Sequence, residues 1–297
     1  KEQEAIIAII QPRLIITNWK ERERFDSISY PLLCIEEILI SSGNDSVIKN
    51  EHENKVDDVC AIILTSGSTG IPKAVQLTYQ NFETSCNNWN NFLEFQTEDQ
   101  FLCCLPLYHI GGFAVLIRAV LYGFSVNIMQ NFEEKSIQNT ISNYPVTIIS
   151  LVPTMLKRIL EINEGLNSLQ SLRHILLGGG PCPKYLLDIC IQEQLPIIKV
   201  YGMTETCSGT FGIKLLEEPD NMHYAGRPFP GVKVWIDNNE IHISGPMVMK
   251  GYFGEKETQG KHNSHDLGRL EDDLLFLDIR RKDLIISGGE NINPLEV

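Results

Sequence analysis

The chain has 297 residues, 43% hydrophobic and 21% charged, ordinary values for a globular protein able to bury a core as one large domain or two. Its net charge of −13 argues against a nucleic-acid or membrane-surface partner, so an anionic ligand must be held by local lysine, arginine, backbone N–H groups or a metal. The longest apolar region, Val115 to Met129, is broken by Arg118 and Gly123 and is too short for stable insertion in a bilayer.

Taken in order, residues 1–40 alternate short apolar runs with the charged stretch Lys20 to Asp26, as the tail of an α/β unit would. Residues 41–58 are polar and aperiodic and are expected to form a surface loop. The run Cys60-Ala61-Ile62-Ile63-Leu64 reads as a buried strand, and Ala74 to Leu77 as a second short one. Between them, the nine positions from Thr65 to Lys73 carry four hydroxyls (Thr65, Ser66, Ser68, Thr69), two glycines (Gly67, Gly70) and a lysine. Glycines let backbone N–H groups point inward, hydroxyls add donors and the lysine adds a charge, which together suit a triphosphate. It is not a Walker A loop, because Pro72 precedes the lysine and a strand follows.

Thr78 is a plausible N-cap for a helix through about Leu93. Phe101 to Leu105 forms a strand that runs into Pro106 and the turn at Gly111-Gly112, followed by a helix over 113–122 and a strand over Ser125 to Met129. Further alternation places helices at Glu133–Asn143, Pro153–Glu161 and Pro183–Gln194, with strands at Val146–Val152, Arg173–Leu177 and Ile197–Tyr201. Strands alternating with helices from 59 to 201 imply an α/β fold with a mostly parallel, doubly wound sheet layered with helices. Ligands of such sheets sit beyond the strands' carboxyl ends, where the loops after Leu64, Leu105, Leu177 and Tyr201 would converge. After Gly226 short strands (Val232–Ile236, Glu240–Ser244, Leu274–Ile279) suggest a small β subdomain. Eight cysteines without CxxC spacing read as reduced core residues of a cytoplasmic protein.

Strand, hydroxyl-rich loop, Pro72-Lys73, strand resembles the phosphate loop of the AMP-forming adenylate synthetases, which include acyl-CoA ligases, luciferases and the adenylation domains of peptide synthetases. The resemblance implies ATP contacts from Thr65, Ser66, Gly67, Ser68, Thr69, Gly70 and Lys73, with Thr69 and Lys73 serving catalysis. Tyr201-Gly202-Met203-Thr204-Glu205-Thr206 matches the family's second motif. Read onto it, Tyr201 lines the adenine pocket with Gly202 and Met203 beside the nucleotide. Thr204 then serves phosphate and Mg²⁺, and Glu205 serves Mg²⁺. Gly178-Gly179-Gly180 matches the adenine-side loop. Asp266 matches the ribose-binding aspartate, with Ser264-His265 where the family has Thr-Gly. Arg281 matches a second ribose contact and Asp283 the hinge to a C-terminal lobe.

Several stretches resemble the o-succinylbenzoate–CoA ligase branch, among them Leu105 to Ile110, Ser150 to Leu156 and Asp283 to Ile292. That branch usually shows His-Ile-Ser-Gly where this chain has His109-Ile110-Gly111-Gly112. The implied reaction is ATP-dependent activation of a carboxylic acid as its adenylate, then thioester formation with CoA, in menaquinone or phylloquinone biosynthesis. His109 would line the acyl tunnel and Arg118 would hold the substrate's non-reacting carboxylate. The implied domains are 1–225, nucleotide- and acyl-binding; 226–282, the β subdomain; and 283–297, the hinge and start of a C-terminal lobe. The family's late catalytic lysine would lie beyond this chain. A plastid stroma is the alternative compartment, and a homodimer is an open option. Rival readings are another aryl- or acyl-CoA ligase, a peptide-synthetase adenylation domain, and a nucleotide-binding remnant without catalysis.

Overall fold

A computed structural model describes residues 2–25, 29–37, 53, 55–65, 72–279, 285–287 and 290–292. The chain divides into two compact units, residues 1–55 and 56–297. In the first, helix α1 (Glu2–Ile10) precedes a parallel pair, β1 (Ile15–Thr17) and β2 (Leu32–Cys34), in which Ile15 faces Leu32. Arg22 caps this unit with a bond to Glu37 at 3.2 Å. Of the polar stretch expected to form a loop, residues 41–52 and 54 lie outside the described residues.

The second unit opens with β3 (Val59–Thr65) and β4 (Lys73–Thr78) and then helix α2 (Tyr79–Leu93). Thr78 caps α2 reciprocally. Its hydroxyl accepts from the Asn81 N–H at 3.2 Å, and the Asn81 side chain accepts from the Thr78 N–H at 2.9 Å. There follow β5 (Gln100–Cys103), α3 (Ile110–Tyr122), β6 (Ser125–Ile128), α4 (Glu134–Asn143) and β7 (Ile148–Leu151). Next come α5 (Pro153–Leu160), α6 (Gly165–Gln170), β8 (His174–Leu177), α7 (Lys184–Gln192) and β9 (Ile197–Met203). The strands β10 (Ser208–Lys214) and β11 (Arg227–Pro228) complete a seven-stranded sheet of order β11-β10-β9-β8-β7-β5-β6.

Its five strands from β9 to β6 are parallel, as expected, while β10 and β11 add an antiparallel edge. Helices cover both faces. Ile137, Leu156, Leu169 and Leu187 of α4 to α7 pack with Ile149, Ile175 and Ile197 in one core. Trp89 of α2 and Val115 of α3 pack with Phe101, Ile148 and Leu176 in the other. Each such side chain contributes about 1.5–3 kcal/mol by leaving water.

Two expectations change. The strands flanking the hydroxyl-rich loop are not part of the parallel sheet. They pair antiparallel with each other and with β14 (Gly251–Tyr252), in the order β14-β4-β3. The reason is length: a parallel crossover needs a dozen or more residues, and only positions 66–72 separate the two strands. The Gly111-Gly112 pair is not a turn either. It lies in the first turn of α3, where Gly112 and Phe113 donate to the His109 carbonyl at 3.1 and 2.9 Å. A Cβ on Gly112 would stand 2.4 Å from the Pro106 carbonyl oxygen, so glycine is what lets the helix start there.

The later region is a four-stranded antiparallel sheet. It comprises β12 (Lys233–Asp237), β13 (Glu240–Ser244), β15 (Lys261–Glu271) and β16 (Leu274–Ile279). The long β15 was not expected, nor were α6 and β10. A last hairpin pairs β17 (Ile285–Ser287) with β18 (Glu290–Ile292). Among the described residues, no helix is long and apolar enough to cross a membrane.

Candidate active site

The described ends of the hydroxyl-rich loop are Thr65 and Lys73, which face each other across β3 and β4 and so close the loop at its base. Ser66, Gly67, Ser68, Thr69 and Gly70 lie outside the described residues, as do Arg281 and Asp283. The Lys73 ammonium stands 4.5 Å from the centre of the Tyr252 ring. The Tyr252 hydroxyl donates to Glu205 Oε1 at 2.8 Å. Burial and the nearby Glu205 carboxylate push the Tyr252 phenol well above its ordinary pKa, so it remains a donor.

Glu205 sits in a 3-10 turn, Thr204–Thr206, at the end of β9. The turn is held locally by Thr206, whose side chain accepts from the Met203 N–H at 3.1 Å, and distantly by the Met249 N–H bonding the Glu205 carbonyl at 2.8 Å. The chain then reverses sharply into β10 through Cys207 (φ 53°) and Ser208 (φ 94°). Gly202 makes this reversal possible, since a Cβ there would lie 2.1 Å from the Ser208 carbonyl oxygen.

Tyr201 is 3% exposed, and its hydroxyl donates to Asp266 Oδ2 at 2.8 Å. Asp266 is carried on an irregularity of β15, where the pairing with β13 slips between Glu240 and His242. Within it Ser264 Oγ accepts from the Asp266 N–H at 3.1 Å and donates to the Ile241 carbonyl at 2.8 Å. His265 takes the left-handed conformation (φ 57°) that glycine adopts more cheaply. On the other side, Leu177 pairs with Lys199 at the end of β8, with Gly178 next against Val200 and Gly179 (φ 76°) against Val152. The structure therefore brings Lys73, Glu205, Tyr201, Asp266 and the glycine loop to one rim of the central sheet.

His109 occupies the N-cap position of α3, its ring 4.4 Å from that of Tyr108. Arg118 lies nine residues further on the same helix, roughly 13 Å along its axis. It is only 2% exposed. Its Nη2 donates to Ser208 Oγ at 3.0 Å, and its guanidinium carbon lies 4.5 Å from the Trp89 ring centre. Ser208 faces Met203 across the β9–β10 hairpin, so Arg118 reaches the start of β10, opposite the residue that precedes Thr204. Burial lowers the Arg118 pKa, with Cys86 and Cys207 opposing the fall. Among the described residues it has no carboxylate within ion-pair distance, and Arg118 Nε, Trp89 Nε1 and Thr210 Oγ1 are buried without hydrogen-bond partners.

Sequence reading missed three neighbours. Tyr252 depends on the pairing of β14 with β4, which a two-residue strand does not announce. Burial lowers the His262 pKa, and Glu205 opposes that fall while His265, Lys73 and His242 add to it, which puts the ring within the field of the site. Lys199 lines a cavity of about 420 Å³ with Cys182, Leu187 and Met222 and donates to the Met222 and Tyr224 carbonyls at 2.5 and 2.7 Å. Burial brings its pKa down to about 8.

Glu205 Oε1 is engaged by Tyr252 while its second oxygen has no partner among the described residues. A carboxylate with one oxygen free suits Mg²⁺, which takes few protein ligands and completes its shell with phosphate and water. Among the described residues no three His, Cys, Asp or Glu side chains form a metal cage, so phosphate and water would have to do so here.

Residues 3–253 match the model of a family described as AMP-binding enzyme. The 2-succinylbenzoate–CoA ligase of Bacillus velezensis is 37% identical over 293 residues, an alignment that covers 93% of this chain and 59% of that protein. Bacillus subtilis o-succinylbenzoate CoA synthetase, solved with the acyl-adenylate intermediate OSB-AMP, superposes with a TM-score of 0.86 at 33% identity. That comparison covers 100% of this chain and 64% of that one. The same enzyme solved with ATP and a magnesium ion gives 0.85 at 32% identity, covering 100% and 65%. The chain thus spans less than two thirds of the length of these relatives.

Proposed function

This chain belongs to the AMP-binding enzyme family, and we propose that it is the nucleotide-activating part of an acid–thiol ligase. The substrate we assign is 2-succinylbenzoate, converted through its acyl-adenylate to the CoA thioester in menaquinone or phylloquinone biosynthesis. The observation that carries the reading is the meeting of Lys73, Tyr252 and Glu205 on one side and of Tyr201 and Asp266 on the other, at one rim of the sheet. The names of the relatives support the choice of acid.

In the first step an ionised carboxylate oxygen of the acid attacks the α-phosphorus of ATP and the bond to pyrophosphate breaks. No general base is required, because a carboxylate of pKa about 4 is ionised at neutral pH. The chain's task is therefore positioning and charge neutralisation. Lys73 and the loop from Thr65 to Gly70, with Thr69, would hold the phosphates. Thr204 and Glu205 would hold Mg²⁺, which when bound offsets the triphosphate charge. Asp266 keeps one oxygen for the ribose, since Tyr201 occupies the other. Tyr201 and Gly178 to Gly180 would flank the adenine. In the second step the CoA sulfur attacks the acyl carbonyl and AMP leaves.

The assigned substrate has two carboxylates, and only one reacts. His109 would line the acyl tunnel, and Arg118 is assigned to the other carboxylate. A buried guanidinium with an unpaired Nε and no carboxylate nearby among the described residues supports that role, because such a charge is costly without an anion. The same reading divides the chain at 225/226 and 282/283, with Arg281 as a ribose contact and Asp283 as the hinge. Eight unpaired cysteines fit a reducing, cytoplasmic compartment.

ATP–pyrophosphate exchange by the 297-residue chain, across 2-succinylbenzoate, benzoate, fatty acids and amino acids, tests the proposal. Exchange led by 2-succinylbenzoate is the expected result. Exchange led by an amino acid would make the chain a peptide-synthetase domain. ATP binding without any exchange would make it a remnant.

A further inference from the structure

The segment from Met249 to Phe253 ties together two parts of the site that are distant in sequence. At its start the Met249 N–H bonds the Glu205 carbonyl at 2.8 Å. Along its length Gly251 and Tyr252 pair with Gln76 and Val75 of β4, and the Lys250 and Phe253 N–H groups bond the Gln76 and Ala74 carbonyls at 3.0 and 2.8 Å. One edge of this short strand therefore follows the strand that begins at Lys73, and its beginning touches the turn that carries Glu205.

The Tyr252 side chain repeats the link with charged groups. Its hydroxyl donates to Glu205 Oε1 at 2.8 Å, and its ring face lies 4.5 Å from the Lys73 ammonium. Lys73 and Glu205 carry opposite charges on neighbouring elements, yet among the described residues they do not form an ion pair. A direct pair would hide the lysine from phosphate and the carboxylate from metal. An aromatic ring attracts a cation through its face without neutralising it, and a phenol engages only one carboxylate oxygen.

We propose that Tyr252 is the positioning residue of the nucleotide site, a spacer that orients Glu205 through its hydroxyl and Lys73 through its ring and keeps the two from pairing. This rests on the assignment of Glu205 to metal and Lys73 to phosphate made above. The role is divided within one side chain, so two substitutions separate its halves. Tyr252→Phe removes only the bond to Glu205, and Tyr252→Leu removes the ring as well.

The test uses the full chain, with Mn²⁺ as a paramagnetic stand-in for Mg²⁺ titrated in the presence of saturating ATP. Calorimetry of ATP binding in EDTA and thermal melting accompany it. Tyr252→Phe should weaken Mn²⁺ binding by about tenfold or more, as loss of a partner that orients a metal ligand does elsewhere. Its metal-free ATP affinity should stay within about twofold of the parent, since the ring still holds Lys73. Tyr252→Leu should weaken metal-free ATP binding as well. Wild-type Mn²⁺ affinity in Tyr252→Phe would overturn the proposal while leaving the function standing. Equal losses in both variants, in both titrations and with a lowered melting temperature, would reduce Tyr252 to a structural residue. Failure of the unaltered chain to bind Mn²⁺ with ATP would overturn this role together with the assignment it rests on.

Discussion

At Tyr201–Asp266 the phenol stands on the central sheet and the carboxylate on the later four-stranded sheet, whereas at Tyr252–Glu205 the carboxylate stands in the turn that ends the central sheet's β9 and the phenol on β14 of the three-stranded sheet. Both bonds are 2.8 Å long. Asp266 is fixed by its own turn, through the Ser264 hydroxyl and the left-handed His265. Glu205 is fixed mainly from outside, by the Met249 N–H and the Tyr252 hydroxyl from residues more than forty positions away. A carboxylate set by a local turn keeps its aim when distant contacts loosen. One set by long-range contacts can be moved by anything that shifts the neighbouring strand.

The largest effect should come from removing the floor that the two pairs share. Gly202→Ala would place a Cβ 2.1 Å from the Ser208 carbonyl oxygen and 2.6 Å from the Gly209 Cα. Backbone atoms cannot yield as a flexible side chain can, so β9 and β10 must separate. A loss above about 4 kcal/mol in urea unfolding is expected, with loss of nucleotide binding. A variant of parental stability that binds ATP would show that neither pair depends on the hairpin.

The next test separates the pairs. Glu205→Gln should lower pyrophosphate exchange by on the order of a hundredfold and change its metal dependence. Asp266→Asn should instead weaken ATP binding about tenfold or more, the worth of a charge-assisted hydrogen bond, with metal dependence unchanged. If both variants shift the metal dependence alike, the two carboxylates act as one unit and the contrast between them is lost.

The smallest effect concerns Lys199, two residues before Tyr201 on β9. Its folded pKa of about 8 lies below the 10.5 of a free lysine. Between those values the unfolded chain binds a proton that the folded chain does not, so stability should rise as pH increases through this window. Below about pH 8 both states are protonated and the cost of burying the charge is fully present. Lys199→Met should flatten the rise, which is no more than about 3 kcal/mol from the size of the shift. Denaturant midpoints at pH 7, 8.5 and 10 measure it, and an unchanged slope would assign the rise to other groups.

The parallel part of the fold was readable because its strands are buried on both faces. Runs such as Phe101 to Leu105 and Ile175 to Leu177 are apolar without interruption, and helices with one-sided patterns separate them. The Thr78 cap, the end of α2 at Leu93 and the strands Glu240–Ser244 and Leu274–Ile279 were readable from local chemistry alone. The long β15 was hidden, because Lys261-His262-Asn263-Ser264-His265-Asp266 is polar and its backbone bonds are satisfied by β13 and β16 rather than by any property of its own residues.

Sequence by itself determined the types of group proposed for the site and their order along the chain: the hydroxyl-rich loop and lysine, the glycine loop, the Thr204-Glu205 step and Asp266. Each follows a local pattern of small, polar or charged residues next to an apolar run. Tertiary structure alone decided that β3 and β4 leave the parallel sheet, that Arg118 turns inward to Ser208, and that Tyr252 stands between Lys73 and Glu205. Those are contacts between residues far apart in sequence. Their free energy depends on which surfaces meet, and no window of neighbouring residues carries that information.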